Sequence, residues 1–124
     1  MPTKTEKKTI GDVLLYEADS FYSRDLVTIG SGLDLEVGHV LGQVTATKKF
    51  VSYDPTASDG SEVVAAVLLQ EAAAASADVE SVVVAARHAR VKRSGLEYDD
   101  AVDDAPKRQA AVDGLKAIGI LSDL

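Results

Sequence analysis

Val63-Val64-Ala65-Ala66-Val67-Leu68-Leu69 is an unbroken run of seven apolar residues, and Val82-Val83-Val84-Ala85-Ala86 is a second run of five. Neither leaves a polar position that would give the segment a wet face, so both read as strands buried on two faces. Between them the chain is alanine-rich, broken by Ser76 and Asp78. Propensity allows a helical turn over residues 71–77, but closeness to both runs favours a hairpin-like connection there. After Val84 the pattern alternates. Ala89 and Val91 fall on one face and His88, Arg90 and Lys92 on the other, which predicts a strand with one solvated side.

Upstream, Leu26-Val27-Thr28-Ile29 is β-branched and stops at Gly30-Ser31-Gly32, a strand with a turn at its end. Residues 37–45 are strand-like but interrupted by Gly38 and Gly42, which suggests a curved strand with bulges or close backbone approach. Residues 48–53 form another short, partly alternating segment. Asp54-Pro55 and Asp59-Gly60 then mark an irregular connection with strong turn chemistry. Downstream, Asp103 or Asp104 can cap a helix with Pro106 in its first turn. Ala111, Leu115 and Ile118 share one face of it, and Gly119 stops it. Several short strands followed by one short helix predict a mainly β fold with a short C-terminal helix, not a doubly wound sheet.

At 124 residues the chain can bury one core. Apolar residues at 46% and charged ones at 27% are ordinary globular usage, but aromatics are only 5%, so Val, Leu, Ile and Ala must fill the interior. That leaves room for help from oligomerisation. A net charge of −7 would repel a phosphate backbone and argues against nucleic-acid binding. The absence of cysteine removes disulfides, thiolate nucleophiles and Cys-based zinc sites, and fits folding in a reducing cytoplasm. Residues 1–11 are polar without an apolar signal core, and no stretch has bilayer length, so neither export by signal peptide nor membrane insertion is expected. Residues 2–9 carry no large apolar side chain to offset their ordering entropy. They predict a flexible N-terminal arm over residues 1–12 ahead of a single β-rich domain over 13–124.

Candidate chemistry is sparse. His39 and His88 have no second ligand at helical spacing, and Asp99, Asp100, Asp103 and Asp104 lack the spacing of a calcium loop. That acidic cluster suits the N-terminus of the following helix. The basic stretch Arg87, Arg90, Lys92 and Arg93, with His88, has no interleaved aromatics to stack bases and reads as a solvated strand face. Gly30-Ser31-Gly32 and Asp59-Gly60-Ser61 are neither a nucleotide loop nor a nucleophile elbow. Phe21, Tyr22 and Tyr53 are the aromatics a binding surface would use, although covering a small core is their commoner role. No catalytic, cofactor or metal site is expected.

Over residues 25–120 the order of features resembles the lambda-type bacteriophage head decoration proteins. The resemblance runs through Leu26-Val27-Thr28-Ile29, Val37-Gly38-His39-Val40-Leu41-Gly42-Gln43-Val44-Thr45, Tyr53-Asp54-Pro55 and Asp59-Gly60-Ser61. It continues through Ala65-Ala66-Val67-Leu68-Leu69, Val82-Val83-Val84 with Arg87 and Val91, and Leu115-Lys116-Ala117-Ile118-Gly119-Ile120. His39 departs from the small residue expected after that glycine. The resemblance implies a β-clip-like head decoration fold and a non-enzymatic capsid protein. It implies a homotrimer bound to the major capsid protein at threefold and quasi-threefold sites of an expanded head, on the virion surface, stabilising the shell against packed DNA. It also implies that the N-terminal segment meets the shell. By position this assigns capsid contact to Thr3, Lys4, Thr5, Lys7, Lys8, Thr9 and Ile10, where strand addition would suit the threonines.

Two other classes remain open at this level. One is a non-catalytic oligomeric binding or adhesion module displaying loops such as residues 18–23, which an exposed aromatic cluster would support. The other is an enzyme built from the acidic cluster and His88, which requires those groups to converge in one pocket.

Overall fold

A computed structural model describes residues 10, 13–17 and 23–123 of the chain, and within them the strands track the apolar runs. In chain order these are β1 (Leu14–Glu17), β2 (Arg24–Ile29), β3 (Leu33–Leu35), β4 (Val40–Gln43), β5 (Phe50–Ser52), β6 (Val64–Leu68), β7 (Ala72–Ala74), β8 (Val79–Ala85) and β9 (Ala89–Lys92). One helix, α1 (Ala105–Ala117), and a last strand, β10 (Ile120–Asp123), complete the fold. It is mainly β with a short helix near the C-terminus.

Strands β2, β5, β4, β6 and β8 close into a barrel in that order. Closure satisfies the ladder hydrogen bonds that an open sheet leaves at its edges. The strands read as two-faced are walls of this barrel. Along β8, Val82 and Val84 pack into one apolar cluster with Ile29, Leu41, Ala66 and Leu68, while Val83 and Ala85 turn to a second. Along β6, Ala66 and Leu68 join the first cluster and Val67 the second. Strand alternation therefore feeds both cores from the same elements. The second cluster fills the space under α1 and a sheet of order β1-β9-β10, where Val13, Val91, Leu115 and Ile120 are fully buried. Each such side chain contributes about 1.5–3 kcal/mol on burial.

Both glycines of the 37–45 segment sit at close backbone approaches. Gly38 has φ +97°, and a Cβ there would meet the Gly95 carbonyl oxygen and, at 3.0 Å, the Val13 side chain. Gly42 has no such dihedral, but a Cβ would lie 2.5–2.8 Å from the Ser61 backbone, and the β4–β6 register shifts between Leu41 and Gly42. The left-handed backbone at Gly38 lies ahead of the strand, which starts only at Val40, and β4 spans Val40–Gln43.

Helix α1 starts as its sequence indicates. Asp104 accepts a 2.9 Å hydrogen bond from the Lys107 N–H, and Pro106 sits in the first turn. Ala111, Val112 and Leu115 are buried, and Gly119 leaves the helix with φ +87°.

Three features differ from the sequence expectation. The expected connection over residues 71–77 contains a strand, β7, paired antiparallel with β3 in the register Leu33↔Ala74, Asp34↔Ala73, Leu35↔Ala72. Ala72 and Ala74 are fully buried, so tertiary packing overrides alanine's helix preference. After Gly119 the chain continues as β10, which lies parallel to β9 with Ile120 opposite Ala89. Upstream, β1 pairs antiparallel with β9 where the sequence showed only the onset of apolar material.

Candidate functional site

Of the predicted arm contacts, Thr3, Lys4, Thr5, Lys7, Lys8 and Thr9 lie outside the described residues. Ile10 is half-buried against the cluster under α1, and its carbonyl accepts a 3.1 Å hydrogen bond from the Val13 N–H. The chain entering β1 is thus fastened to the body at Ile10 and Val13.

Strand β1 opens the most distinctive surface of the molecule. In it, Leu14 pairs with Val91, Tyr16 with Arg90 and Glu17 with Ala89, so Leu15 and Tyr16 together oppose one residue of β9. This is a β-bulge, and it breaks the alternation that would otherwise send every second side chain inward. Leu15 is 44% exposed and Tyr16 62%. On the far side of β9, Leu121 of β10 also pairs with Arg90 and is 40% exposed. Tyr16, Arg90 and Leu121 therefore stand abreast across three strands and line one hollow with His88 and Gly119. In this sheet order β1 and β10 are the outer strands. Glu17, at the end of β1, receives two hydrogen bonds from Arg24 at 2.7 and 2.8 Å, which ties the sheet to the barrel and raises the arginine's pKa further.

The other candidate residues are scattered over the fold. His39 is buried, and its Nε2 meets the Ser52 hydroxyl at 2.5 Å, a packed histidine that ties the residue just before β4 to β5. His88 is exposed with φ +49° at the turn into β9. The four aspartates do not converge with it. Asp104 caps α1, Asp103 pairs with Lys107 at 2.9 Å, Asp99 accepts from the Ala101 N–H, and none of the four lines the hollow at His88. Among the described residues no three His, Asp or Glu side chains gather as a metal site. Arg87 reaches back to Asp25 of β2 with hydrogen bonds of 3.2 and 2.6 Å.

The Gly30-Ser31-Gly32 turn is held by Asp78, which accepts from the Ser31 N–H at 2.8 Å and pairs with Lys49 at 2.6 Å. The Ser61 hydroxyl is buried and donates to Asp59 at 2.6 Å, bracing the loop that Gly42 packs against. Of the aromatics considered for ligand binding, Phe21 and Tyr22 lie outside the described residues. Tyr53 is only 6% exposed, in the core, where burial and then Asp54 push its pKa up.

The exposed row was missed in the sequence, although a signal for it was present. Val13-Leu14-Leu15-Tyr16 is four large apolar residues in succession, and a strand covered on one face can bury only alternate ones. No helix among the described residues is long and apolar enough to cross a membrane. In comparison with known families, residues 3–120 match the family described as bacteriophage lambda head decoration protein D. A search of curated proteins gives no match.

Proposed function

The chain belongs to the bacteriophage lambda head decoration protein D family, whose members are structural proteins of the virion capsid, and we propose that it acts as a homotrimer on the expanded phage head. It sits at threefold and quasi-threefold positions on the major capsid protein and holds the shell against the pressure of packed DNA. The family match over residues 3–120 carries this reading. It is made in the host cytoplasm and ends on the outer surface of the capsid, with no catalytic step.

The mechanism is mechanical. A closed barrel with buried cores on both sides of its wall deforms little, because close-packed interiors have low compressibility. In this reading residues 13–124 are the rigid body and residues 1–12 the arm, whose Ile10 is its anchor on the body rather than a free shell contact. Thr3, Lys4, Thr5, Lys7, Lys8 and Thr9 lie along the shell and add a strand to it, main-chain hydrogen bonds giving affinity without demanding particular side chains. Three arms on one trimer make individually weak contacts cooperative through effective concentration. With three lysines against Glu6 and Asp12, the arm is slightly basic where the chain as a whole is acidic, and so orients the trimer on an acidic shell.

The test is solution mass by light scattering, for the full chain beside a version beginning at Gly11. Both forms are expected as trimers, the full chain at three times its 13.0 kDa mass and the shorter form at three times its own smaller mass, with only the full chain binding expanded heads. A monomer would move the assignment to a binding module.

A further inference from the structure

The outer face of the β1-β9-β10 sheet is not explained by either core. Five large apolar side chains are exposed among the described residues, and three of them, Leu15, Tyr16 and Leu121, belong to this one sheet. The other two, Leu26 on β2 and Val63 before β6, are single exposures on other elements, which soluble proteins carry without consequence. The three sheet residues are different. The bulge in β1 displays two of them, and register sets Tyr16 and Leu121 on either side of Arg90, all three lining one hollow. A contiguous apolar patch with an arginine at its centre has the composition of binding hot spots.

Charge narrows what the patch meets. A second hollow adjoins the first through Arg90 and Leu121, and it is lined by Arg93 and Lys116 as well. Among the described residues that line it the one carboxylate is Asp113, which accepts a 3.0 Å hydrogen bond from Gln109. Apart from Arg90, it brings two cations, Arg93 and Lys116, against that carboxylate, whereas the chain as a whole holds 20 acidic against 13 basic residues. A partner that covers it should offer apolar side chains next to carboxylates. The patch also continues the arm, because the segment from Ile10 to Val13 leads directly into β1.

The geometry points to this face, Leu15, Tyr16, Arg90 and Leu121 with Arg93 and Lys116 beside them, as a docking surface for an acidic, apolar-edged surface of the head shell. This rests on the decoration reading and deepens it: the arm threads onto the shell, and the sheet face at its root seats the body. Contacts between copies then fall to other surfaces.

The experiment compares the full chain with Tyr16→Ser/Leu121→Ser, and with Leu26→Ser/Val63→Ser as the control that removes exposed apolar area elsewhere. Mass by light scattering, a thermal melt and co-sedimentation with expanded heads lacking decoration protein are read for each. Because the replaced side chains are already exposed, both variants should keep the mass and melt of the parent. The sheet variant should bind heads at least about tenfold more weakly and the control within about twofold. Lys116→Glu, a separate exposed change on α1, should weaken binding at low salt and less at high salt. The inference is overturned if the sheet variant loses mass, which makes the face a contact between copies. It is equally overturned if that variant binds heads like the parent, or if the control loses as much. Failure of the parent itself to bind heads would instead remove the decoration reading beneath it.

Discussion

Replacing Gly38 by alanine separates two kinds of glycine requirement. At φ +97° an L side chain is held in the left-handed half of the backbone map, costing roughly 1–2 kcal/mol. The new methyl group would also overlap the Gly95 carbonyl oxygen and press on Val13 at 3.0 Å. Relieving that overlap means moving a strand entry whose Gly38 N–H donates to Leu68 at 2.7 Å and whose carbonyl accepts from Glu97 at 2.9 Å. Overpacking of this kind adds about 1–3 kcal/mol, giving a total of about 2–5 kcal/mol. Gly32 provides the comparison. Its φ is +91°, yet a Cβ there meets nothing within 4 Å, so Gly32→Ala incurs the dihedral cost alone. Urea unfolding monitored by circular dichroism measures both variants, and Gly38→Ala should be the less stable by at least about 1 kcal/mol with an unchanged slope. Equal stabilities would refute the claimed crossing of the 38 and 95 backbones.

Named contacts set three further outcomes. Leu115→Ala empties a fully buried site between α1 and the barrel and should cost about 2–5 kcal/mol in the same urea experiment. Asp104→Ala removes the acceptor for the Lys107 N–H and should cost about 1 kcal/mol, with a loss of helical signal confined to one turn. Hydrogen bonds from Thr56 hold Asp54 below the usual carboxylate pKa, as those from Ser61 do for Asp59, so their stabilisation is present above the unfolded value. It should drain away as pH falls from about 4 through the lower folded values. A melting temperature that stays flat across that interval, or an Asp59→Ala variant as acid-sensitive as its parent, would contradict this.

What could be read from the chain divides along physical lines. Val82 to Ala85 announced its two-sided burial because every residue is apolar, and the barrel wall does face two clusters. The 38 and 42 positions announced close approach because glycine in a β-branched segment has little other use. Asp104, Pro106 and Gly119 punctuated the helix through local chemistry alone. Strands β7 and β10 were hidden for the opposite reason. Ala72 to Ala74 has no β-branched residue, and its strand exists because Leu33 and Leu35 lie across from it, a partnership about forty residues distant. Likewise β10 comes after a helix stop and pairs in parallel with β9, which no local signal encodes. The exposed row at Leu15 and Tyr16 depends on a bulge, so strict alternation would have sent one of the two inward.

The most direct measurement of the central claim is co-sedimentation of the full-length chain with heads lacking decoration protein, in the expanded and the unexpanded state. Saturable binding to expanded heads alone, at a stoichiometry of three chains per threefold or quasi-threefold position, is the expected result. Absence of binding to expanded heads, or equal binding to both forms, would contradict a protein that locks the mature shell.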